Sequence, residues 1–267
     1  MRRLSWVLPL ILLLAERAAM GAEGADPAKL MIAAAADLQF AMRELVDAFR
    51  KENPAVVVDV VTGSSGKFYE QIVHGAPFDL FFSADIKYPE ELRKQGLTAS
   101  EVQIYARGRI VLWSTGMDAG KMTIRDLGNP AITKIAIANP KHAPYGMRAE
   151  EALKKTRVWP KVEKKLVFGE NVAQTAQFVE TGAADVGIIA LSLAASPALR
   201  GKGSYSLIPE DLHSPLDQGY VILKKAEADP VARTFADFVT SEPARAIFRR
   251  YGFALPAESL SPARSVR

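Results

Sequence analysis

Short apolar segments alternate with amphipathic segments from residue 30 onward, and this alternation constrains the fold more than any other feature of the sequence. The apolar segments at 30–35, 55–61 and 78–84 have the length and composition of buried strands. Apolar residues at helical spacing follow the first of them, at Leu38, Ala41, Met42, Leu45, Val46 and Phe49, and helices are also predicted at 67–74 and 89–96. This order predicts an α/β fold, a parallel sheet with helices on both faces.

A second set of such segments divides the chain into two lobes. Strands are predicted at 109–114, 134–140, 165–169, 185–191 and 219–225, with helices at 147–155, 172–181, 230–240 and 243–251. Because no Gly/Ser-rich linker separates the two sets, we expect the chain to cross between the lobes more than once. We predict one lobe from 28–107 plus 219–256, another from 108–218, hinge strands near 106–110 and 217–221, and a loose tail at 257–267.

The first 22 residues have the composition of a cleaved secretory signal. Arg2 and Arg3 form a basic head, residues 4–15 are apolar, and small residues follow up to Ala22. The apolar run is shorter than the roughly 20 residues that a helix needs to span a bilayer. We therefore predict a signal peptide at 1–22 and a periplasmic mature protein.

The composition also excludes several kinds of site. The chain has no Cys, which rules out disulfides, a thiol nucleophile and a lipid anchor on cysteine. Its three His lack the spacing of zinc ligands, and its formal net charge of +4 is too small to indicate a nucleic-acid partner. We expect neither a cofactor nor a nucleic-acid partner.

Four segments share one pattern, in which a strand ends, small or polar residues follow, and a helix begins. They lie at 33–39, 62–68, 139–147 and 168–174. The first amides of a helix have no partner within the helix and carry a partial positive charge. Four such ends together would bind an anion without an Arg or Lys clamp.

The segment 60–73, VVTGSSGKFYEQIV, comes close to two catalytic motifs and satisfies neither. Val61 stands where a nucleotide-binding P-loop needs Gly, and Phe68 stands where it needs Ser or Thr. The run from Gly63 to Gly66 is one residue shorter than the nucleophile elbow of a hydrolase. The favoured interpretation is a loop whose amides and Ser hydroxyls hold an anion. An exported hydrolase that uses Ser65 as its nucleophile remains the alternative.

With these motifs the chain resembles the periplasmic molybdate-binding proteins of ABC transporters. The stretches that carry the resemblance are AAAADLQFAMRELVDAF, GSSGKFYEQIVHGAPFDLFFSAD, IANPKHAPYG, GENVAQTAQFVETGAADVGIIALS and the terminal RRYGF. The resemblance implies a two-lobed type II periplasmic binding protein, a clamshell with mixed sheets flanked by helices. It also implies a monomer without enzymatic activity that holds molybdate or tungstate between its lobes and delivers it to a membrane ABC permease.

The resemblance assigns the ligand contacts residue by residue. Ser65 matches the family serine in the second contact loop, Tyr145 matches the contact position in the third loop, and Val172 matches a backbone donor in the fourth. Ala36 and Asp37 match the first loop. In this scheme the metal atom is bound only as its oxyanion, through these same residues, and phosphate or sulfate remains an alternative ligand.

Asp37 departs from the family pattern, in which Ser or Asn stands at this position. An ionised carboxylate accepts hydrogen bonds only and repels a dianion. One interpretation is that Asp37 caps a helix through the amide of Gln39 or Phe40 and turns away from the ligand. The other is that it accepts a proton from the ligand, which suits hydrogen phosphate. Lys67 is interpreted as a solvated lysine, with a supporting charge at the cleft rim as the alternative. His142 is interpreted as a residue of an exposed turn that could instead line the lip of the cleft.

Overall fold

The computed structural model describes residues 28–256, and its first sheet has five strands. These strands are β1 (Lys29–Ala35), β2 (Val57–Gly63), β3 (Leu80–Ser83), β4 (Gln103–Gly108) and β10 (Leu216–Ile222). Their order across the sheet is β2-β1-β3-β10-β4. The first three strands are parallel to one another, and β10 is antiparallel to both of its neighbours.

The second sheet repeats this arrangement. Its strands are β5 (Ile110–Ser114), β6 (Ile135–Ala138), β7 (Leu166–Gly169), β8 (Val186–Ala190) and β9 (Ser204–Leu207). Their order is β7-β6-β8-β5-β9, with β6 parallel to β7 and β8, and β5 antiparallel to β8 and β9. Each sheet is thus mixed, with its parallel strands on one side.

Helices flank both sheets. The first sheet carries α1 (Gln39–Glu52), α2 (Ser65–Val73), α3 (Lys87–Lys94), α8 (Pro230–Thr240) and α9 (Glu242–Arg250). The second carries α4 (Pro144–Lys155), α5 (Trp159–Val162), α6 (Val172–Glu180) and α7 (Leu191–Ala194). The predicted α/β clamshell with mixed sheets is confirmed. Within residues 28–256, no helix combines the length and the apolar composition required to cross a bilayer.

The continuous apolar character of β1 follows from burial on both of its faces. Leu30, Ile32 and Ala34 pack into one apolar cluster together with the buried side of α1. Ala33 points to the opposite face and packs into a second cluster with Phe68 and Phe81. Because successive side chains of a strand alternate between faces, helices on both sides leave no polar position on β1 after Lys29.

The chain passes between the sheets twice. The first crossing is the single residue Arg109, between the end of β4 and the start of β5. The second runs from Ile208, whose amide donates to Ile110 at 3.1 Å, to Leu216, which pairs with Gly108. The two crossings therefore lie side by side, close to the predicted hinges.

Some predicted boundaries are shifted. β10 begins at Leu216 and ends at Ile222, so it starts ahead of the predicted lobe boundary at 219 and does not extend to 225. The polar residues Asp217 and Gln218 interrupt the apolar pattern, so the sequence does not predict the first residues of β10 as strand. The predictions do not include β9, and they cover only the end of β4, as the hinge strand near 106–110; both are edge strands and lack a continuous apolar pattern. The predicted signal peptide at 1–22 and the tail at 257–267 lie outside the described residues.

Gly146 permits the close contact of α4 with β6. A Cβ atom at this position would lie 2.1 Å from the carbonyl oxygen of Ala138. We expect Gly146→Ala to lower the free energy of unfolding by about 1–3 kcal/mol, as overpacking does elsewhere. Urea unfolding followed by circular dichroism measures the change. Gly116→Ala is the matched control, because a Cβ there meets no atom within 4 Å. Equal unfolding midpoints for the two variants would contradict the prediction.

Candidate functional site

A small cavity lies between the two lobes. It is lined by the turn that follows β1 and by the starts of α2, α4 and α6. Its empty volume, which includes space open to solvent, is about 200 Å³, and the centre of a water-sized molecule can occupy about 10 Å³ of it. The structure brings all five predicted ligand-binding residues to its wall: Ala36, Asp37, Ser65, Tyr145 and Val172. Their role in binding stays a prediction, but their convergence is a property of the fold.

The register of the parallel strands explains why these segments meet. In the first lobe, Ala35 at the end of β1 lies opposite Gly63 at the end of β2. In the second lobe, Ala138 at the end of β6 lies opposite Gly169 at the end of β7. Neighbouring parallel strands end at the same edge of a sheet, so each lobe presents two turns side by side.

Three helix starts supply amides without an acceptor. Within residues 28–256, the amides of Ser65, Tyr145 and Val172 have no hydrogen-bond partner. In α6 the Asn171 side chain accepts from the two amides that follow Val172, at 3.0 Å each, and leaves that of Val172 free. Such amides carry the positive end of the helix dipole, so the cavity suits an anion.

Ser65 adds a hydroxyl donor to the cavity. Its side chain is buried, and its oxygen accepts the amide of Ala84 at 3.0 Å. The hydroxyl hydrogen has no acceptor within residues 28–256, so it remains available to a ligand. Ser64 behaves differently, since its hydroxyl donates to the carbonyl oxygen of His142 at 2.6 Å.

The lining of the cavity carries no cationic side chain. No Lys or Arg is among the described residues that form its wall, and its one ionisable acid is Asp37. Among residues 28–256, no three His, Cys, Asp or Glu side chains come together as a metal-ion site. An anion in this cavity would therefore meet neutral donors and one carboxyl group.

Asp37 is almost fully buried, with 1% of its surface exposed. Its Oδ2 accepts the hydroxyl of Tyr145 at 3.0 Å and the side-chain amide of Gln218 at 2.8 Å. Its Oδ1 is buried and has no partner within the described part of the chain. One carboxylate oxygen is therefore saturated, and the other is left without a donor.

The capping interpretation of Asp37 is wrong. Asp37 lies inside a short 3₁₀ turn, Ala36–Leu38, and α1 begins at Gln39 with Leu38 in the capping position. Neither the turn nor α1 has a side-chain cap. Because Asp37 lies within the 3₁₀ turn, it does not occupy the capping position of α1. Its side chain extends between the lobes, where it accepts hydrogen bonds from Tyr145 and Gln218.

Burial sets the protonation of Asp37. Removal of the carboxyl group from water raises its pKa to about 6, against the opposing effect of the hydrogen bonds from Gln218 and Tyr145 and of the nearby amides of Asp37 and Leu38. Burial also raises the pKa of the Tyr145 phenol, and the nearby Asp37 raises it further. Tyr145 is therefore a neutral donor to Asp37 near neutral pH.

Gln218 and Tyr105, which hold Asp37 in place, are not among the predicted site residues. Gln218, which is fully buried on β10, also donates to the hydroxyl of Tyr145 at 3.1 Å. Its Oε1 accepts the hydroxyl of Tyr105 on β4 at 2.5 Å. A Cβ at Gly108 would lie 2.3 Å from the Tyr145 hydroxyl, so Gly108 makes room for this network. Gln218 lies next to Asp37 only in the folded sheet, and no local sequence motif indicates this contact.

Contacts across the rim of the cavity join the lobes. The amide of Gly66 donates to the carbonyl oxygen of His142 at 2.9 Å. Lys67 forms an ion pair with Glu170, and Arg148 on α4 pairs with Asp85 at 2.8 Å. Lys67 is solvent-exposed as predicted, with 52% of its side chain accessible, and its ion pair agrees with the alternative prediction of a supporting charge at the cleft rim. The interpretation of His142 as an exposed residue is wrong, since 18% of its side chain is exposed and its ring nitrogen lies 2.9 Å from the Ser64 hydroxyl.

Several proteins that are similar to this chain in sequence and in structure are molybdate-binding proteins. The chain is 36% identical over 236 residues to the molybdate-binding protein ModA of Azotobacter vinelandii, covering 86% of this chain and 92% of that one. It is 37% identical over 215 residues to the ModA of Rhodobacter capsulatus, covering 78% and 81%. The solved structure of the periplasmic molybdate-binding protein of Azotobacter vinelandii superposes with a TM-score of 0.78 at 33% identity, covering 85% of this chain and 99% of that one.

The family assignment rests on nearly the whole of the described chain. The family of bacterial extracellular solute-binding proteins matches residues 30–254, which include both sheets and every segment that lines the cavity. The resemblance drawn from the sequence motifs is confirmed at this level. The chain belongs to the bacterial extracellular solute-binding proteins.

Proposed function

We propose that this chain captures molybdate, or the similarly sized tungstate, in the cavity between its lobes and delivers it to a membrane ABC permease. One observation carries the proposal: unpartnered amides at helix starts of both lobes, with the Ser65 hydroxyl, surround a small cavity without a Lys or Arg lining. The names of the relatives from Azotobacter vinelandii and Rhodobacter capsulatus support the choice of molybdate.

Neutral donors suit the capture and release of a dianion. Each amide or hydroxyl contributes a charge-assisted hydrogen bond, which is stronger in a cavity closed to water than at a surface. Because the site has no fixed cation, release of the ligand does not leave an uncompensated positive charge in the cavity. The size of the cavity and the positions of its donors then distinguish molybdate from the smaller sulfate.

The remaining parts of the proposal follow from the solute-binding role. The chain acts in the periplasm after removal of the predicted signal peptide, as a monomer without a cofactor and without catalysis. A hydrolase based on Ser65 gains no support from the geometry, because the imidazole of His142 lies against Ser64 instead. The metal atom is cargo, held only as its oxyanion.

Hydrogen phosphate is the second candidate ligand, and one observation favours it. The unpartnered Oδ1 of Asp37 is an acceptor on the cavity wall, and hydrogen phosphate carries a proton that such an acceptor could bind. Sulfate carries no proton at neutral pH and has no comparable advantage.

A panel of oxyanions separates these ligands. We expect molybdate and tungstate to raise the melting temperature of the protein, because a ligand that binds only the folded state stabilises it, and sulfate and phosphate to have little effect. Differential scanning fluorimetry gives the ranking, and isothermal titration calorimetry gives the affinities. Tighter binding of phosphate than of molybdate would rule out the proposed ligand.

Removal of the Ser65 hydroxyl tests its place in the cavity. A hydrogen bond to a charged group contributes about 1.5–3 kcal/mol, so Ser65→Ala should weaken molybdate binding about tenfold to 100-fold. Ser204→Ala on β9, outside the cavity, is the matched control and should retain the affinity. Melting of both variants without ligand detects any loss of folding, and unchanged affinity in Ser65→Ala would remove Ser65 from the site.

Gly66 tests the closure of the lobes. A Cβ at Gly66 would lie 2.5 Å from the carbonyl oxygen of His142 on the opposite lobe. We expect Gly66→Ala to prevent this contact and to weaken molybdate binding at least about tenfold. Small-angle scattering should show less compaction by molybdate than in the unmodified protein. Gly116→Ala, with open space around its Cβ, serves as control, and equal affinities would show that this contact plays no part in closure.

A further inference from the structure

The Oδ1 atom of Asp37 stands out among the polar atoms of the cavity. It belongs to a side chain with 1% exposure that lines the cavity, and it has no hydrogen-bond partner within the described residues. A buried polar atom without a partner costs about 1–3 kcal/mol, so its position calls for a physical reason. The other carboxyl oxygen accepts two hydrogen bonds and needs no further donor.

No cation balances this carboxyl group. The two titratable groups that face it are the phenols of Tyr145 on α4 and, beyond Gln218, of Tyr105 on β4, and burial raises the pKa of both. The elements packed around the turn are α1, α6, α7 and β2, and α7 has no charged residue. Five charged side chains of the surrounding elements form ion pairs away from Asp37: Glu44 with Arg250, Asp59 with Lys29, Glu180 with Lys202, Asp217 with Arg107, and Arg148 with Asp85.

An ionised Asp37 would oppose the proposed ligand. Like charges in a cavity with little water repel each other strongly, because the effective dielectric constant there is low. A proton on Oδ1 removes the charge and converts the unpartnered acceptor into a hydroxyl donor. Oδ2 already accepts from two donors, which leaves Oδ1 as the oxygen that carries the proton.

We propose that Asp37 binds the oxyanion as a neutral carboxylic acid that donates from Oδ1 to a ligand oxygen, so that the protein takes up one proton from solvent when it binds molybdate. The inference rests on the proposed function and deepens it. On binding, one proton moves from water or buffer to Oδ1 of Asp37, and no other covalent bond forms or breaks. Molybdate itself stays unprotonated.

The protonation of the free site sets the direction of the pH effect. Burial between the closed lobes raises the pKa of Asp37 to about 6 without a ligand, and a nearby dianion raises it further. Below this pKa the free carboxyl group is already protonated, and the affinity is constant. Above it the proton has to be taken up on binding, and the affinity falls by about tenfold per pH unit until the pKa of the complex is reached.

Calorimetry of the full mature protein with sodium molybdate tests the inference. Titrations from about pH 6 to about pH 8, in buffers with different ionisation enthalpies, report both the affinity and the number of protons taken up. We expect an uptake that approaches one proton per bound anion near the upper end, and an affinity that falls by about tenfold per pH unit.

Three variants locate the titrating group. Asp37→Asn and Asp37→Ser each supply a neutral donor, and both should bind molybdate without proton uptake and independently of pH in this range. At the highest pH each should bind more tightly than the unmodified protein. Asp79→Asn is the matched control, since Asp79 is also buried but pairs with Lys225 at 2.7 Å outside the cavity, and it should retain the pH dependence.

The possible outcomes separate the inference from the proposed function. Molybdate binding without proton uptake and with constant affinity overturns the inference and leaves the proposed function in place. A pH dependence that persists in Asp37→Asn and Asp37→Ser also overturns it. The absence of molybdate binding at every pH overturns both. If one variant fails to fold, as judged by urea unfolding, the other variant and the measurements on the unmodified protein remain decisive.

Discussion

Parallel pairing of two strands in each sheet is the constraint on which the cavity depends. Ala35 opposite Gly63 and Ala138 opposite Gly169 bring four turns to one place. A slip of one residue in either pair would displace a helix start by about 3.3 Å, which is more than the length of a hydrogen bond. The inner strand of each pair, β1 or β6, is buried and resists such a slip, so the positions of the amides depend on packing far from any ligand.

A buried polar network joins the two lobes at Asp37. Asp37 comes from the first lobe, Tyr145 from the second, and Gln218 from β10, the strand that follows the second crossing of the chain. The hydroxyl of Ser192 on α7 also reaches across to the carbonyl oxygen of Asp37 at 2.8 Å. The orientation of this carboxyl group is therefore tied to closure, and its environment exists only when both lobes contribute.

The sequence predicts the sheets, most helices and the four turns, because apolar periodicity reports burial directly. It predicts poorly what depends on distant partners. Edge strands β4 and β9 are half covered and carry a weak pattern, and the start of β10 is hidden by polar Asp217 and Gln218, whose side chains find partners on other elements. The segments 62–68 and 168–174 follow from the pattern of helix starts, and the resemblance to the family assigns Ser65 and Val172 within them, whereas the role of Gln218 beside Asp37 requires the assembled fold.

The cap of α6 has a consequence for selectivity. The Asn171 side chain occupies two of the amides at the start of this helix and leaves one. The number of donors that a lobe offers is therefore controlled by a residue that need not touch the ligand. Chains of this fold could change the coordination number of their anion by exchanging a cap, with the strands and the donors from the other helix starts unaltered.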